Sequence, residues 1–326
     1  MAKKVLITGG MGFIGKVLVK KLLKDSDYDL VIVDNLSSSK VDPALLSNPR
    51  IEFIEADFTD WMPLAGEKYY QIYHLASPVG PVGVLKYKGK IAKMIIDHLV
   101  KVAEIALSMD AKLMEVSSSE VYGKHAESNS EGQREDIDKI VPANITVRLE
   151  YGVAKLLGEI ALKNFSRGTN LRYNIVRPFN ICGPSQNDEL GFVIPRFLRQ
   201  ALHNEPITVY GDGSMMRTFT HVDDFVEGMY AVMEKGTPGE IYNLGNPKNV
   251  LSILDLAKKI KAATNSTSEI TLIDPITLHG KDFAEAFNKI PNIDKVTAAT
   301  GWKPKWIVDD IIAQLVGMKD DYLVAK

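Results

Sequence analysis

Compact apolar runs alternate with amphipathic segments along the first half of the chain. Residues 4–8 (KVLIT) and 30–34 (LVIVD) are short, β-branched runs of the kind that buried strands favour. Between them, residues 13–23 carry apolar side chains at helical spacing. The same patterns predict further strands over 51–57, 71–77, 112–116 and 171–178, and helices over 91–105 and from about residue 151.

Strands that alternate with helices at this spacing are typical of right-handed βαβ units in a parallel, doubly wound sheet. The rhythm breaks after Pro178, where proline and glycine interrupt shorter elements. The sequence therefore predicts an α/β fold with a Rossmann-type dinucleotide-binding domain over residues 1–178. A smaller, mixed α/β domain is predicted over 179–326, and its elements can be interleaved with those of the first.

The composition argues against several classes of protein. Of the 326 residues, 45% are apolar and 25% are charged, and the formal net charge of −2 gives no basic field for nucleic acid or an anionic membrane. No apolar run reaches the ~18–20 residues of a spanning helix, and the first predicted strand begins too early for a signal peptide. Cys182 is the only cysteine, so no disulfide framework or cysteine-based zinc site is expected. We expect a cytoplasmic protein without a metal centre.

A glycine-rich loop follows the first predicted strand. The segment TGGMGFIG places Gly9, Gly12 and Gly15 between that strand and the first helix. One glycine permits a tight turn, one lets backbone N–H groups approach a pyrophosphate, and one allows close contact between helix and strand. The helix N-terminus adds a partial positive charge. This placement favours a dinucleotide site over a purely structural turn, and Phe13 and Ile14 belong to the same predicted site.

Polar and small residues end the next strands, where a bound dinucleotide would pass. Asp34 ends the second strand, and a carboxylate there accepts hydrogen bonds from ribose hydroxyls and disfavours a 2′-phosphate. Asp57 closes the third strand, where it either accepts a hydrogen bond from the adenine amino group or caps a helix. We therefore predict NAD as the cofactor. The further residues assigned to its site here are Asn35, Phe58, Leu75, Ala76 and Ser77.

Several motifs occur in order along the chain. Tyr151 and Lys155 stand four residues apart in EYGVAK, and SSSEVYG precedes them at 117–123. The others are RPFNICGP at 177–184, VYGDGSMMRTFTHVDD at 209–224, YNLGNP at 242–247 and GWKP at 301–304. This set covers almost the whole chain and resembles the extended short-chain dehydrogenase/reductase family, whose members modify nucleotide sugars. The resemblance implies a nucleotide-diphosphate sugar substrate, bound by the domain over 179–326.

The motif residues support the implied chemistry on physical grounds. On a helix, Tyr151 and Lys155 lie one turn apart on the same face. Free tyrosine has a pKa of about 10, which a neighbouring ammonium group and an oxidised nicotinamide should lower. Tyr151 can then take a proton from a sugar hydroxyl while the attached carbon delivers hydride to NAD. The resemblance places the Ser118 hydroxyl on the same substrate oxygen.

The second half of the chain resembles the family's nucleotide-sugar clamp. The resemblance assigns Asn180 to the sugar–phosphate region of the substrate, Pro178 to the nicotinamide and Arg217 to the diphosphate. Many relatives have a second arginine in an R-x-P-D segment, whereas this chain has KIPN, which begins at Lys289. A second departure is Ile95, where relatives often have an asparagine that faces the cofactor. Two further residues, Val193 and Tyr210, are assigned to the substrate.

A sugar that is oxidised at C4 can follow four routes. The ketone can be reduced on its other face by an epimerase, lose the group at C6 in a dehydratase, lose carbon dioxide from a C6 carboxylate, or be released by a net 4-dehydrogenase. Glu120 resembles a glutamate common in dehydratases and uronate decarboxylases, where it is a candidate base at C5. Ser119 stands where many dehydratases have an aspartic acid. The sequence leaves these routes open.

Two further expectations concern assembly and an alternative class of function. The family commonly forms homodimers through the helix near 90–109 and the Tyr151 helix. We predict a homodimer, in which Met94, His98 and Met109 either face the partner or belong to the core. The alternative class is a non-catalytic Rossmann protein that senses NAD(H), which would have no need of Ser118, Tyr151 and Lys155 together.

Overall fold

The centre of the fold is a seven-stranded parallel sheet. The structure is a computed structural model that describes residues 3–78, 80–124, 132–187, 190–274, 276–277 and 288–319. The strand order is β3-β2-β1-β4-β5-β6-β11, and every neighbouring pair is parallel. The strands of this sheet are β1 (Lys4–Thr8), β2 (Asp29–Asp34), β3 (Ile51–Glu55), β4 (Gln71–His74), β5 (Lys112–Val116), β6 (Arg172–Pro178) and β11 (Ile241–Leu244).

Helices cover both faces of the sheet, so its central strands are apolar on both sides. One face packs on α1 and α7 around Val5, Ile7 and Met229, and the other packs on α4 and α5 around Leu6 and Leu113. The helices of the first 235 residues are α1 (Phe13–Asp25), α2 (Pro43–Leu46), α3 (Gly80–Lys86), α4 (Ile91–Ser108), α5 (Val147–Ser166), α6 (Val193–Leu202) and α7 (Val222–Lys235), and Ser119–Tyr122 forms a 3₁₀ helix, η1.

A second hydrophobic core lies in the part of the chain after Pro178. It is built around Phe197, Val209 and Leu256, and three two-stranded sheets surround it: β7 with β10, β9 with β12, and β8 with β13. Its strands are β7 (Ile181–Cys182), β8 (Ile207–Tyr210), β9 (Met216–Thr218), β10 (Thr220–His221), β12 (Val250–Ser252) and β13 (Ile270–Ile273), and the further helices that lie wholly within described residues there are α8 (Ile253–Ala263), α9 (Asp294–Thr300) and α10 (Val308–Gly317).

The predicted α/β fold with a doubly wound parallel sheet is confirmed, with corrections at the ends of elements. The strands predicted over 51–57 and 71–77 end at Glu55 and His74, and the residues that follow turn into loops. Helix α5 begins at Val147 rather than near Tyr151, because the Thr146 side chain caps it. Strand β11 pairs with β6, although it comes after residue 178; the domain boundary itself stays a prediction.

The topology identifies where a ligand can bind. The strand order reverses between β1, which pairs with β2, and β4, which pairs with β1 on the other side. In open α/β sheets, ligands bind outside the carboxyl ends of the strands at such a reversal. No helix among the described residues is long and apolar enough to cross a membrane.

Candidate active site

The glycine loop lies at the carboxyl end of β1 and leaves no room for side chains. Gly9 has a φ of +72°, and a Cβ on it would lie 2.8 Å from the backbone nitrogen of Ala76. A Cβ on Gly15 would lie 2.6 Å from the Cα of Gly10, so α1 can approach the loop only with glycine there. Gly12 is the N-cap residue of α1. This bare backbone at a helix N-terminus fits a dinucleotide pyrophosphate.

Asp34 lies against the glycine loop at the end of β2. Its carboxylate accepts hydrogen bonds from the backbone N–H of Met11 at 2.9 Å and of Leu36 at 2.8 Å. It is 8% exposed, so the side chain both holds the loop and borders the crevice. Sequence reasoning missed Met11, which is fully buried, and Gly10, which packs on the side chain of Ile32.

Asn35 and Asp57 are brought together from two strands. The Asn35 amide donates to Asp57 Oδ2 at 2.9 Å, and the other carboxylate oxygen accepts from the Thr59 backbone N–H at 2.9 Å. Burial opposes ionisation, but these hydrogen bonds hold the pKa of Asp57 below its usual value. No helix begins at Asp57, so the helix-capping interpretation is wrong. Phe58 is buried in the core beneath this pair.

Residues 75–77 follow β4, and the first two of them border Gly9. The backbone of Leu75 and Ala76 approaches Gly9 so closely that both contact its hypothetical Cβ. His74 is buried and shares a 2.7 Å hydrogen bond with the Thr8 hydroxyl, which orients the strand ends. Burial lowers the pKa of His74 well below its usual value.

Ser118, Glu120 and Tyr151 meet where η1 contacts α5. Ser118 caps η1 by accepting from the Glu120 backbone N–H at 3.2 Å, and its hydroxyl also hydrogen-bonds Tyr151. Gly152 allows this approach, because a Cβ there would lie 3.1 Å from the Glu120 carbonyl oxygen. The Tyr151 ring packs on Ile95 and Ala154, so Ile95 is part of an apolar support rather than a polar contact.

Lys155 is buried one helical turn after Tyr151 on α5. Its ammonium group donates to the Val116 carbonyl oxygen at 2.8 Å and lies 3.4 Å from Glu115 Oε1. Lys155 is 5% exposed and Glu115 is 4% exposed. The structure therefore places Ser118, Tyr151 and Lys155 together, as the motif spacing predicts, and it adds Glu115, which sequence reasoning missed.

The protein groups around Tyr151 together raise its pKa, although Lys155 acts in the predicted direction. Burial raises the pKa of Tyr151, and the Lys155 ammonium and the Ser118 hydroxyl offset only part of this effect. Glu120 and Glu115 add negative charge that raises it further. The ammonium acts in the expected direction, but removal of the phenol from water has the larger effect.

Glu120 is held between two cations. Arg148 donates hydrogen bonds to its carboxylate from two nitrogens, and the Nε donor is 3.0 Å from Oε2. The Lys289 ammonium pairs with Oε1. Burial opposes ionisation, but the charges of Arg148 and Lys289 hold the pKa of Glu120 far below its usual range. Arg148 lies on the first turn of α5, a turn that the sequence prediction left out. The sequence-based candidate base at C5 is thus a carboxylate with little affinity for a proton.

Lys289 lies beside Arg217 through a short parallel backbone bridge. Both side chains are buried; Lys289 pairs with Glu120, as Arg148 does, and the Arg217 charge lies close enough to act on Lys289. Burial and the neighbouring arginines lower the pKa of Lys289 to about 8, although Glu120 acts in the opposite direction. An arginine in this position would not release a proton near neutral pH.

The other predicted site residues lie on or directly after four separate elements. Asn180 follows β6 with a φ of +39°, and its side-chain amide donates to the Thr218 carbonyl oxygen at 2.8 Å. Pro178 is the last residue of β6. Val193 begins α6, and Tyr210 ends β8 with the Arg196 guanidinium 4.2 Å from its ring centroid. Ser119 is buried in η1.

A buried polar network supports the site from below. Arg177 donates to Glu159 from Nε at 2.9 Å and from a second nitrogen at 2.6 Å, and to the Tyr122 hydroxyl at 2.8 Å. The Tyr122 hydroxyl donates to Asn243 at 2.7 Å. Three motifs, SSSEVYG, RPFNICGP and YNLGNP, therefore meet through Tyr122, Arg177 and Asn243.

Comparisons with known proteins agree with this geometry. Residues 5–245 match the model of the NAD dependent epimerase/dehydratase family. The chain is 33% identical over 308 residues to a UDP-N-acetyl-alpha-D-glucosaminuronate decarboxylase of Bacillus cytotoxicus. The aligned region covers 93% of this chain and 94% of that protein. It is 32% identical to UDP-glucuronic acid decarboxylase 1 of Arabidopsis thaliana, again over 93% of this chain, but it spans only 66% of that protein's length.

A solved structure of a UDP-glucuronic acid 4-epimerase from Bacillus cereus in complex with NAD has a TM-score of 0.80, with 25% identity over 98% of this chain and 99% of that chain. These similarities confirm the predicted extended short-chain dehydrogenase family, an enzyme of this NAD-dependent class and its NAD cofactor, and the names of the relatives, which act on nucleotide sugars, are consistent with the predicted oxidation at C4. The chain belongs to the NAD dependent epimerase/dehydratase family.

Proposed function

We propose that the protein decarboxylates a nucleotide-diphosphate hexuronate through a 4-keto intermediate. One observation carries this choice among the possible routes: Glu120 is held ionised by Arg148 and Lys289, beside Arg217. The buried Lys289 and Arg217 add positive charge beside this carboxylate, which favours an anionic substrate. The names of the curated relatives, both uronate decarboxylases, support the same route.

The first step is oxidation at C4, which we assign to Ser118, Tyr151 and Lys155. NAD, when bound beside the glycine loop, supplies the hydride acceptor and later the hydride donor. Tyr151 takes the proton from the C4 hydroxyl, and the Ser118 hydroxyl holds the same oxygen. The Lys155 ammonium favours the phenolate, which offsets part of the effect of burial on Tyr151.

Decarboxylation then needs no base at C5. A ketone at C4 makes the C6 carboxylate a β-keto acid, so the C5–C6 bond breaks, carbon dioxide leaves, and the electron pair forms an enolate over C4 and C5. Dehydration, by contrast, requires a base that takes the C5 proton. Because its two cations hold Glu120 ionised, this carboxylate is a poor base, which argues against that route.

The enolate must next gain a proton at C5, and we assign this proton to Lys289. Its pKa of about 8 leaves the ammonium form dominant at neutral pH yet able to give up its proton. Glu120 keeps Lys289 charged and positioned through their ion pair. Arg148 pairs with the same carboxylate and so helps to set the positions of Glu120 and Lys289.

The experiment is to incubate the protein with NAD and UDP-glucuronate, UDP-N-acetylglucosaminuronate or UDP-glucose, and to follow carbon dioxide and product mass. We expect a uronate to release carbon dioxide. When the reaction is run in D₂O, the product should carry one deuterium at C5. A uronate product of unchanged mass but inverted at C4 would establish an epimerase instead. Accumulated NADH with a released ketone would identify the net 4-dehydrogenase.

Two variants test the assignments. Tyr151→Phe should abolish turnover, and turnover at a near wild-type rate would refute the proposed C4 oxidation. Lys289→Arg keeps the positive charge but cannot supply a proton, so it should retain substrate binding and lose most of kcat. The kcat of the wild type should fall above pH 8 as Lys289 loses its proton. If Lys289→Arg decarboxylates at the wild-type rate, Lys289 is not the proton donor.

We also propose that two copies associate through α4 and α5. These helices pack together on one face of the sheet and expose Val100, Val153, Leu157 and Ile160. The residues on α5 are spaced at three and four positions, so they form one apolar stripe. His98 is not part of this surface, because it is buried and shares a hydrogen bond with Thr59. The cytoplasmic location stays a prediction.

A further inference from the structure

Glu115 is a buried carboxylate that the proposed mechanism does not use. It lies on β5, three residues before Ser118, and is 4% exposed. Its Oε1 is 3.4 Å from the Lys155 ammonium nitrogen. Its Oε2 is buried and has no hydrogen-bond partner among the described residues. A buried carboxylate with one unpartnered oxygen is costly, so its place beside Lys155 requires an explanation.

The charged groups around Glu115 come from four elements. Lys155 and Glu159 face it from α5, and Glu159 is itself paired with Arg177 on β6. His74 lies opposite Glu115 in the register of β4 and β5, and His98 on α4 contacts the His74 ring at 6.1 Å between centroids. This set contains two cations, two carboxylates and two histidines.

Glu115 is poised to change its charge near neutral pH. Burial raises its pKa to about 7; Lys155 lowers the value and Glu159 raises it. Burial keeps the pKa of both His74 and His98 below the usual histidine value, so they are largely neutral. Arg177 is always charged and holds Glu159 in a bidentate ion pair.

We propose that Glu115 is a positioning residue for Lys155, and that its ionisation sets how strongly the Lys155 ammonium favours the Tyr151 phenolate. When Glu115 is protonated, the ammonium acts on Tyr151 unopposed. When Glu115 is ionised, its negative charge opposes the ammonium and makes the phenolate less favourable. This inference rests on the proposed role of Tyr151 as the base at C4.

The test follows the Tyr151 phenolate by ultraviolet difference absorption between pH 6 and 10, with NAD bound and no sugar present. The spectrum of Tyr151→Phe is subtracted to remove the other tyrosines. Glu115→Gln keeps the size of the side chain but removes its charge, so we expect its phenolate titration to shift to lower pH. At pH 8 the phenolate fraction should rise by about threefold. Glu52→Gln removes an exposed carboxylate from β3 in the same sheet and should titrate like the wild type.

If the phenolate titrations of the wild type and Glu115→Gln superimpose, the inference is wrong. In that case a purely structural role of Glu115 would show only as a lower melting temperature of Glu115→Gln. If Glu115→Gln does not fold, Glu115→Asp takes its place: the shorter side chain moves the carboxylate away from the Lys155 ammonium, and a phenolate titration identical to that of the wild type contradicts the proposal. Failure of sugar turnover in the wild type would refute the proposed function but leave this titration readable.

The kinetic arm measures kcat for sugar oxidation against pH. The acidic limb should move to lower pH in Glu115→Gln, while KM stays close to the wild-type value because Glu115 lies below Lys155 and away from the substrate side. An equal loss of kcat at every pH would show that Glu115 only maintains the fold.

Discussion

Replacing Arg177 tests whether the site depends on the buried network beneath it. The Arg177 side chain is 2% exposed and its partner Glu159 is 4% exposed. Arg177→Met would leave the Glu159 carboxylate buried, with the Ser117 hydroxyl at 2.6 Å as a remaining donor. It would also remove the 2.8 Å hydrogen bond to the Tyr122 hydroxyl.

The size of the effect follows from what is left behind. Removing one partner of a buried ion pair typically costs about 3–5 kcal/mol, because the other charge stays buried without its counterion. Replacing both partners with apolar residues of similar volume is often neutral. We therefore expect Arg177→Met to lower the free energy of unfolding by about 3–5 kcal/mol. The double variant Arg177→Met/Glu159→Leu should recover most of this loss.

Urea denaturation of the wild type, both single variants and the double variant gives the full cycle. The slope of unfolding free energy against urea should stay constant, so that changes in midpoint report stability. A cost below about 1 kcal/mol for Arg177→Met, or a double variant less stable than either single variant, would refute the reasoning. In the first case, water or rearrangement would have to satisfy Glu159.

Three further outcomes are expected. Gly15→Ala should abolish NAD binding measured by calorimetry, because its Cβ would overlap the Gly10 backbone, whereas Gly317→Ala, with open space around it, should not. In urea titrations, the unfolding free energy of the wild type should fall by about 3 kcal/mol relative to that of Glu115→Gln as the pH rises from about 4.5 to 7. The reason is that the folded-state pKa of Glu115 is raised, so protonated Glu115 favours the folded state and this contribution is lost as the pH rises. Leu157→Lys should give monomers in light scattering, and Ile307→Lys, also exposed, should leave the dimer intact.

The parts of the fold that depend on local sequence could be predicted. Apolar periodicity gave the strand and helix order, and the loop with Gly9, Gly12 and Gly15 needed only the knowledge of which residues tolerate close backbone approach. The Tyr151–Lys155 pair is likewise a property of one helix. In each case the sequence signal lies in residues that are neighbours in the chain or repeat at a fixed period.

The surroundings of Glu120 could not be predicted, because they come from distant parts of the chain. Arg148 is 28 residues away and Lys289 is 169 residues away. The sequence showed a carboxylate in a motif and suggested a base. Only the two partners show that its proton affinity is low, and this is why we propose loss of carbon dioxide among the routes that the sequence left open.

Some motif residues that resemble functional positions hold the structure together instead. His221 in the HVDD segment stacks on Trp306 at 4.1 Å between ring centroids. Asp224 accepts hydrogen bonds from the backbone N–H groups of Lys305 and Trp306, both at 2.9 Å. The HVDD segment therefore anchors the chain that enters α10. A sequence motif alone does not separate such an anchor from a ligand contact.

Glu115 and Glu120 show how far environment decides the chemistry of identical groups. They are five residues apart, and both are largely shielded from water. Glu115 has one cation at 3.4 Å and its pKa rises to about 7, whereas Glu120 has two closely paired cations and its pKa falls far below the usual range. One carboxylate can therefore change its charge at neutral pH while the other cannot. In the proposed mechanism, the first tunes the base that oxidises C4, and the second keeps the Lys289 proton donor charged and in place.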